Sequence, residues 1–98
     1  MKITINYEQW EFKLNGCAIM VTNNSHDESR IYGLPDSTNI IRVEHEYEYI
    51  RLYDEDDSMY QFKFEEGDFL VGDIFNKEGE HTNEIASWVF GEDLLMSN

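Results

Sequence analysis

Apolar and polar side chains alternate with a period of two through much of this chain, and that pattern restricts the fold more than any other feature. Gln9–Leu14 sets Trp10, Phe12 and Leu14 on one side and Gln9, Glu11 and Lys13 on the other. Met59–Glu65 repeats the pattern with Tyr60, Phe62 and Phe64, and Lys2–Tyr7 with Ile3 and Ile5. Successive strand side chains point to opposite faces, so each run makes a strand with one dry face and one wet face. Asn15-Gly16 stands between the run ending at Leu14 and the apolar run Cys17–Val21. Both residues tolerate positive φ, which makes the pair a strong hairpin signal. Cys17–Val21 is apolar at every position and predicts a central strand covered on both faces.

Asn23–Ser29 reads as polar loop, with His26 exposed in it, and Gly33-Leu34-Pro35-Asp36-Ser37 as a turn. Ile40–Tyr53 reads as one long extended stretch: Ile41, Val43, His45, Tyr47 and Tyr49 on one face, Arg42, Glu44, Glu46 and Glu48 on the other. Asp54-Glu55-Asp56-Asp57-Ser58 and Glu66-Gly67-Asp68 follow as turns. Two readings fit the C-terminal region. Thr82 or Asn83 caps a helix carrying Ile85, Trp88 and Val89 at i, i+3 and i+4; or Lys77-Glu78-Gly79-Glu80 is a hairpin tip and Glu84–Phe90 its return strand. With the helix preferred, the expected class is α+β: one domain over residues 1–98, a predominantly antiparallel sheet, and at most one or two short helices.

Charge supplies the second constraint. Twenty-one acids against seven lysines and arginines give −14 at pH 7, where roughly 2–8 net charges suffice to keep a small domain soluble. The surplus destabilises the compact state by self-repulsion. It also makes nucleic acid and anionic membrane poor direct partners. Met1-Lys2-Ile3-Thr4-Ile5 turns polar too soon for a signal peptide, and no apolar run approaches the roughly 18 residues of a membrane span. A single cysteine, Cys17, leaves no disulfide to form. A cytoplasmic protein is therefore expected.

Residues 44–73 hold 11 of the 21 acids and only two bases, Arg51 and Lys63. On one strand, Glu44, Glu46 and Glu48 would form a row spaced about 6.8 Å apart. Asp54, Glu55, Asp56 and Asp57 would extend it, and Glu65, Glu66 and Asp68 would lie beside it, with Tyr47 and Tyr49 as aromatic anchors. These residues form the candidate partner-binding site. The competing explanation is a solvated sheet face whose charges prevent edge-to-edge aggregation.

No metal or cofactor is expected. Asp54, Asp56, Ser58 and Glu65 imitate the ligand spacing of an EF-hand loop, but its sixth position requires glycine and is Met59 here. His26, His45 and His81 are too far apart, with one cysteine, to suggest zinc. Cys17, in an apolar run, is expected to be buried and inert. No phosphate-binding loop or nucleophile motif is present, so an enzyme is not expected.

The expected function is that of a small acidic inhibitor engaging a basic nuclease or nucleic-acid-binding effector as a nucleic-acid mimic, of the phage or mobile-element kind that blocks restriction or CRISPR machinery. An immunity protein against a basic toxin nuclease would use the same field. An acidic structural or accessory protein, assembled through aromatic surface, is the alternative from another class.

Overall fold

The computed structural model describes residues 1–91, and every regular element among them is a strand. β1 (Lys2–Tyr7), β2 (Trp10–Asn15), β3 (Ala18–Asn23) and β4 (Glu28–Gly33) form a four-stranded antiparallel meander. β5 (Ile40–Glu46), β6 (Tyr49–Asp54), β7 (Met59–Glu65), β8 (Phe69–Phe75) and β9 (His81–Val89) form a five-stranded one. The inner faces of the two sheets share one core. Phe12 of β2 meets Phe62 of β7 with ring centroids 5.3 Å apart, and Trp10 stacks on Phe64 at 4.9 Å. Leu14, Ile19, Ile50, Leu52 and Leu70 are buried around them. The fold is a β-sandwich built from two consecutive meanders.

The expected α+β class is wrong: no helix occurs among the described residues, and β9 is a strand paired with β8 through seven register partners. The helical spacing at Ile85 and Trp88 has a strand explanation. The register between β8 and β9 slips between Gly72 and Asp73, leaving Ile85 unpaired between Glu84 and Ala86. A bulge places two residues against one and breaks the period of two. Ala86 is buried, and Ile85 packs against the same core. Gly72 makes room for this, because a Cβ there would lie 3.1 Å from both Ile85 Cβ and the Phe62 ring. The remainder of the helical reading, residues 92–96, lies outside the described residues.

Three further expectations change. Asn15 pairs with Ala18, so the turn residues are Gly16 and Cys17, and Gly16 carries the positive φ of 63°. Glycine in the first of two loop positions is the pattern of a II′ turn. Cys17 is thus a half-buried turn residue whose Sγ donates to the Thr38 carbonyl at 3.1 Å. β3 is central but covered on one face only, with Ala18 exposed. The extended stretch Ile40–Tyr53 is two strands: Glu46 pairs with Tyr49 across a two-residue turn at Tyr47 and Glu48.

Candidate protein-binding surface

The meander connectivity sorts the turns onto the two ends of the sandwich. At one end lie the β1–β2 turn (Glu8-Gln9), the β3–β4 turn (residues 24–27), the β5–β6 turn (Tyr47-Glu48) and the β7–β8 turn (Glu66-Gly67-Asp68). Direct contacts hold these turns together across the sheets. The Asp68 carboxylate accepts from Gln9 Nε2 at 2.6 Å and Asn23 Nδ2 at 3.1 Å, and His26 Nε2 lies 2.7 Å from it. Its pKa is lowered chiefly by the hydrogen bond from Gln9, then by those from Asn23 and His26. Asp68, expected to face a partner, is instead a link between sheets. His26, expected in an exposed loop, is half-buried, with its ring against Gly91.

An open cleft of about 760 Å³ lies at this end, between the β1–β2 turn and the β5–β6 and β7–β8 turns. Its inner wall is aromatic: Tyr7 stacks on Phe64 at 5.8 Å, beside Trp10. Glu8, Glu48, Glu65 and Glu66 line the rim, with Lys63 3.6 Å from Glu65. The field of these groups is legible in Tyr7, whose phenol pKa is raised by desolvation first and then by Glu8 and Glu48. Next to the cleft, Tyr47 is 74% exposed at the turn tip, with φ at 50°. Positive φ on a bulky residue is strained. The fold therefore holds an aromatic ring out in water, in an unfavourable backbone conformation, between Glu46 and Glu48.

The expected acidic residues do not form one continuous row. Glu46, Tyr47, Glu48, Glu65, Glu66 and Asp68 gather at the cleft end. Asp54, Glu55, Asp56 and Asp57 sit at the opposite end, separated by the length of β6, about 20 Å for six residues. Asp54 is buried, and its carboxylate accepts from the backbone N–H groups of Asp56 and Ser58 and from the Tyr60 hydroxyl at 2.7 Å. It closes its own turn and has little capacity left for a ligand. Glu44 and Tyr49 lie on the outward face of the five-stranded sheet. There Glu44 accepts from Arg42 at 2.6 Å and from the Tyr53 hydroxyl at 2.8 Å, and the Tyr53 bond is the main cause of its lowered pKa. The carboxylate expected to begin the row is thus neutralised locally.

Glu8 and Tyr7 were not readable as site residues, because only the packing of the two meanders brings the first hairpin to the turns of the second. Among the described residues, no group of three or more His, Cys, Asp or Glu side chains is arranged to hold a metal ion, and no helix is long and apolar enough to cross a membrane. Comparison with protein-family models, with curated proteins and with solved structures gives no match.

Proposed function

We propose that this protein is a non-catalytic binder of a basic protein surface, and that it binds through the cleft end of the sandwich. The observation that carries this is the conjunction there of an aromatic-walled open cleft, a rim of glutamates and the projecting ring of Tyr47. Carboxylates steer a cationic partner and raise its rate of encounter. Desolvated aromatic anchors supply the binding energy that exposed charges lack. Arginine suits such a site especially well, since its guanidinium pairs with carboxylates and stacks on aromatic faces.

The partner class that fits best is a nucleic-acid-binding protein, nuclease or effector, whose basic channel this end would occupy as an inhibitor. The mimicry is then of a field and not of a phosphate ladder, because the candidate acids are divided between the two ends of the sandwich and one sheet face and do not run as a single row. A nona-arginine peptide tests the site directly. Amide shifts should concentrate at Glu8, Tyr47, Glu48 and Glu66, and binding should weaken as salt is added. The triple variant Glu8→Gln, Glu48→Gln, Glu66→Gln should lose about tenfold in affinity, about 1.4 kcal/mol. Glu55→Gln, Asp56→Asn, Asp57→Asn, at the other end, should lose far less. Equal losses from the two triples would reduce the site to net charge alone. A partner captured on the protein and released by duplex DNA would support the inhibitor reading; release by salt but not by DNA would count against it.

A further inference from the structure

Four strands form the edges of the two sheets, β1 and β4 of one, β5 and β9 of the other. An edge strand presents unpaired N–H and C=O groups, and proteins blunt it with bulges, inward charges or a covering segment. Three of these four are blunted. β5 bulges between Ile40 and Arg42, and the β8–β9 register shifts twice. On β4, Arg30 lies opposite Val21 of the core face, pairs with Glu28 at 2.7 Å and donates to the Val89 carbonyl at 3.3 Å. Glu28 in turn accepts from the Gly91 N–H. β1 has none of these devices. It pairs with β2 in an unbroken register, and Lys2, at its start, is its only charge. The Met1 carbonyl accepts from the Gly16 N–H at 2.9 Å, which sets the alternation along the ladder. The odd residues bond to β2, while Lys2, Thr4 and Asn6 turn their N–H and C=O groups away from it. Among the described residues no strand lies beside those groups.

We infer that β1 pairs antiparallel with β1 of a second copy of the chain, across a two-fold axis at Thr4. Such a contact is isologous, so the strand must be complementary to itself, and it is. Lys2 faces Asn6 of the second copy, Thr4 faces its Thr4, and Asn6 faces its Lys2, so every outward N–H and C=O of the three residues finds a partner. A register displaced by two residues leaves either Lys2 or Asn6 without a partner in the other β1. On the inward face Ile3 lies beside Ile5 of the second copy, extending the core that both already pack against. Pairs of β-branched residues and Thr–Thr pairs are favourable across antiparallel strands. On the outward face Lys2 of the second copy lies beside Asn6, and Glu11 lies beyond Asn6 on β2. That distance is two strand spacings, about 9.6 Å, which the two long side chains close over the short Asn6. Each copy's Lys2 thus meets the other's Glu11, and no like charges stand directly opposite. Glu11 is also the one acid on the outward face of this sheet, against Lys2 and Lys13. Two copies of a −14 chain therefore meet where each is least negative. The pairing uses both β1 edges and so stops at two copies. It sets the two clefts at opposite ends of the pair and does not depend on their proposed role.

Sedimentation equilibrium on the full chain, from low micromolar to several hundred micromolar, tests the inference. The average mass should rise from the 11.6 kDa of one chain toward twice that. Over the same range, exchange of the Lys2, Thr4 and Asn6 amides with solvent should slow several-fold. Proline at position 4 removes an outward N–H and no bond to β2, a place where edge strands accept it, so Thr4→Pro should hold the protein at the single-chain mass. Should Thr4→Pro lose its fold by circular dichroism, Asn6→Lys decides: it sets lysine opposite Lys2 of the second copy and should weaken pairing several-fold. Lys2→Glu and Glu11→Lys should each weaken pairing and together restore it. Net charge alone predicts otherwise, since Glu11→Lys makes the chain less negative and would strengthen association. A single-chain mass at every concentration overturns the inference and leaves the β1 edge to a strand of another protein. So does a mass climbing past two chains, amide protection at β5 or β9 in place of β1, or indifference to Asn6→Lys.

Discussion

His26 Nε2 stands 2.7 Å from Asp68 Oδ2, joining the β3–β4 turn of one sheet to the β7–β8 turn of the other. Asp68 also binds Gln9 and Asn23 of the four-stranded sheet, so one carboxylate gathers three side chains from across the sandwich. Asp68 has φ at 56°, a conformation asparagine accepts nearly as well as aspartate. Asp68→Asn therefore removes the charge without adding backbone strain. It should cost about 1–2 kcal/mol, since hydrogen bonds to a charged group are the stronger kind and the replacement keeps one acceptor. For a domain of this size that lowers the melting temperature by roughly 4–16 °C. Thermal denaturation at neutral pH measures it, and an unchanged midpoint would mean the link is idle.

The same carboxylate sets the acid limit of stability. Asp68 and Glu28 both have lowered pKa values, Asp68 chiefly through Gln9 and Glu28 chiefly through the Gly91 N–H, 2.9 Å away, with Arg30 next. A carboxylate whose pKa is lower in the folded state contributes stability that is complete above its unfolded value, about 3.9 for Asp and 4.3 for Glu, and is lost as pH falls through the folded value. Protonation of the other acids acts the other way, because it relieves the repulsion of a −14 chain. Urea midpoints should therefore rise modestly from pH 7 toward about 5 and fall below about pH 4, where these two sites give up their protein partners for protons. In the double variant Asp68→Asn, Glu28→Gln the fall below pH 4 should flatten.

Strands were legible wherever one face of the sequence was apolar: Trp10, Phe12 and Leu14, or Tyr60, Phe62 and Phe64, are the core residues the alternation indicated. The last strand was legible only as the less favoured of two readings, because the bulge at Ile85 destroys the period of two and imitates a helical stripe. The acidic patch failed for a related reason. Glu44, Glu46 and Glu48 alternate in sequence, but Glu46 pairs with Tyr49, so the outward face passes from even positions in β5 to odd positions in β6, and Glu48 lies in the turn between them. The three glutamates alone hide the reversal; its trace is the shift of the inward apolar positions from Val43 in β5 to Ile50 and Leu52 in β6. The cleft was illegible because its two walls are about 40 residues apart in sequence, and only sheet packing joins Tyr7 and Glu8 to Glu48.

Tyr60 offers a second, independent reading of a buried contact. Its hydroxyl donates to Asp54 at 2.7 Å, and its pKa is pushed up to about 12, by burial first and by the Asp54 carboxylate next. A raised folded pKa means the neutral phenol is the form the fold stabilises. That stability is intact below the unfolded value of about 10 and is lost as pH rises toward the folded value. Tyrosinate absorbance should show one of the six tyrosines titrating near 12, together with loss of near-ultraviolet circular dichroism. Tyr60→Phe should abolish that step and cost about 1–2 kcal/mol, because Asp54 is left buried with one donor fewer.

Salt should stabilise the fold. The chain carries fourteen unbalanced negative charges, and many of the described acids lie in the turns at the two ends of the sandwich. Within each end carboxylates from separate turns face one another, as Glu8 and Glu48 do across the cleft, and unfolding lets them move apart. Moderate sodium chloride shortens the screening length to about 8–10 Å, the scale of these separations, so it relieves repulsion in the folded state more than in the unfolded one. The ion pairs that salt would weaken are few and exposed, such as Lys13 with Glu11 and Lys63 with Glu65, both at 3.6 Å. Each contributes at most about 1 kcal/mol. Repulsion should therefore win, and the melting temperature at low protein concentration should rise by several degrees between 10 and 300 mM salt, on the order of 1 kcal/mol for a domain of this size. Glu8→Gln, Glu48→Gln, Glu66→Gln should reduce that rise by removing charges from one end. A melting temperature that fell steadily with added salt would mean that local pairing, as at Arg42 and Glu44, outweighs repulsion over the whole surface.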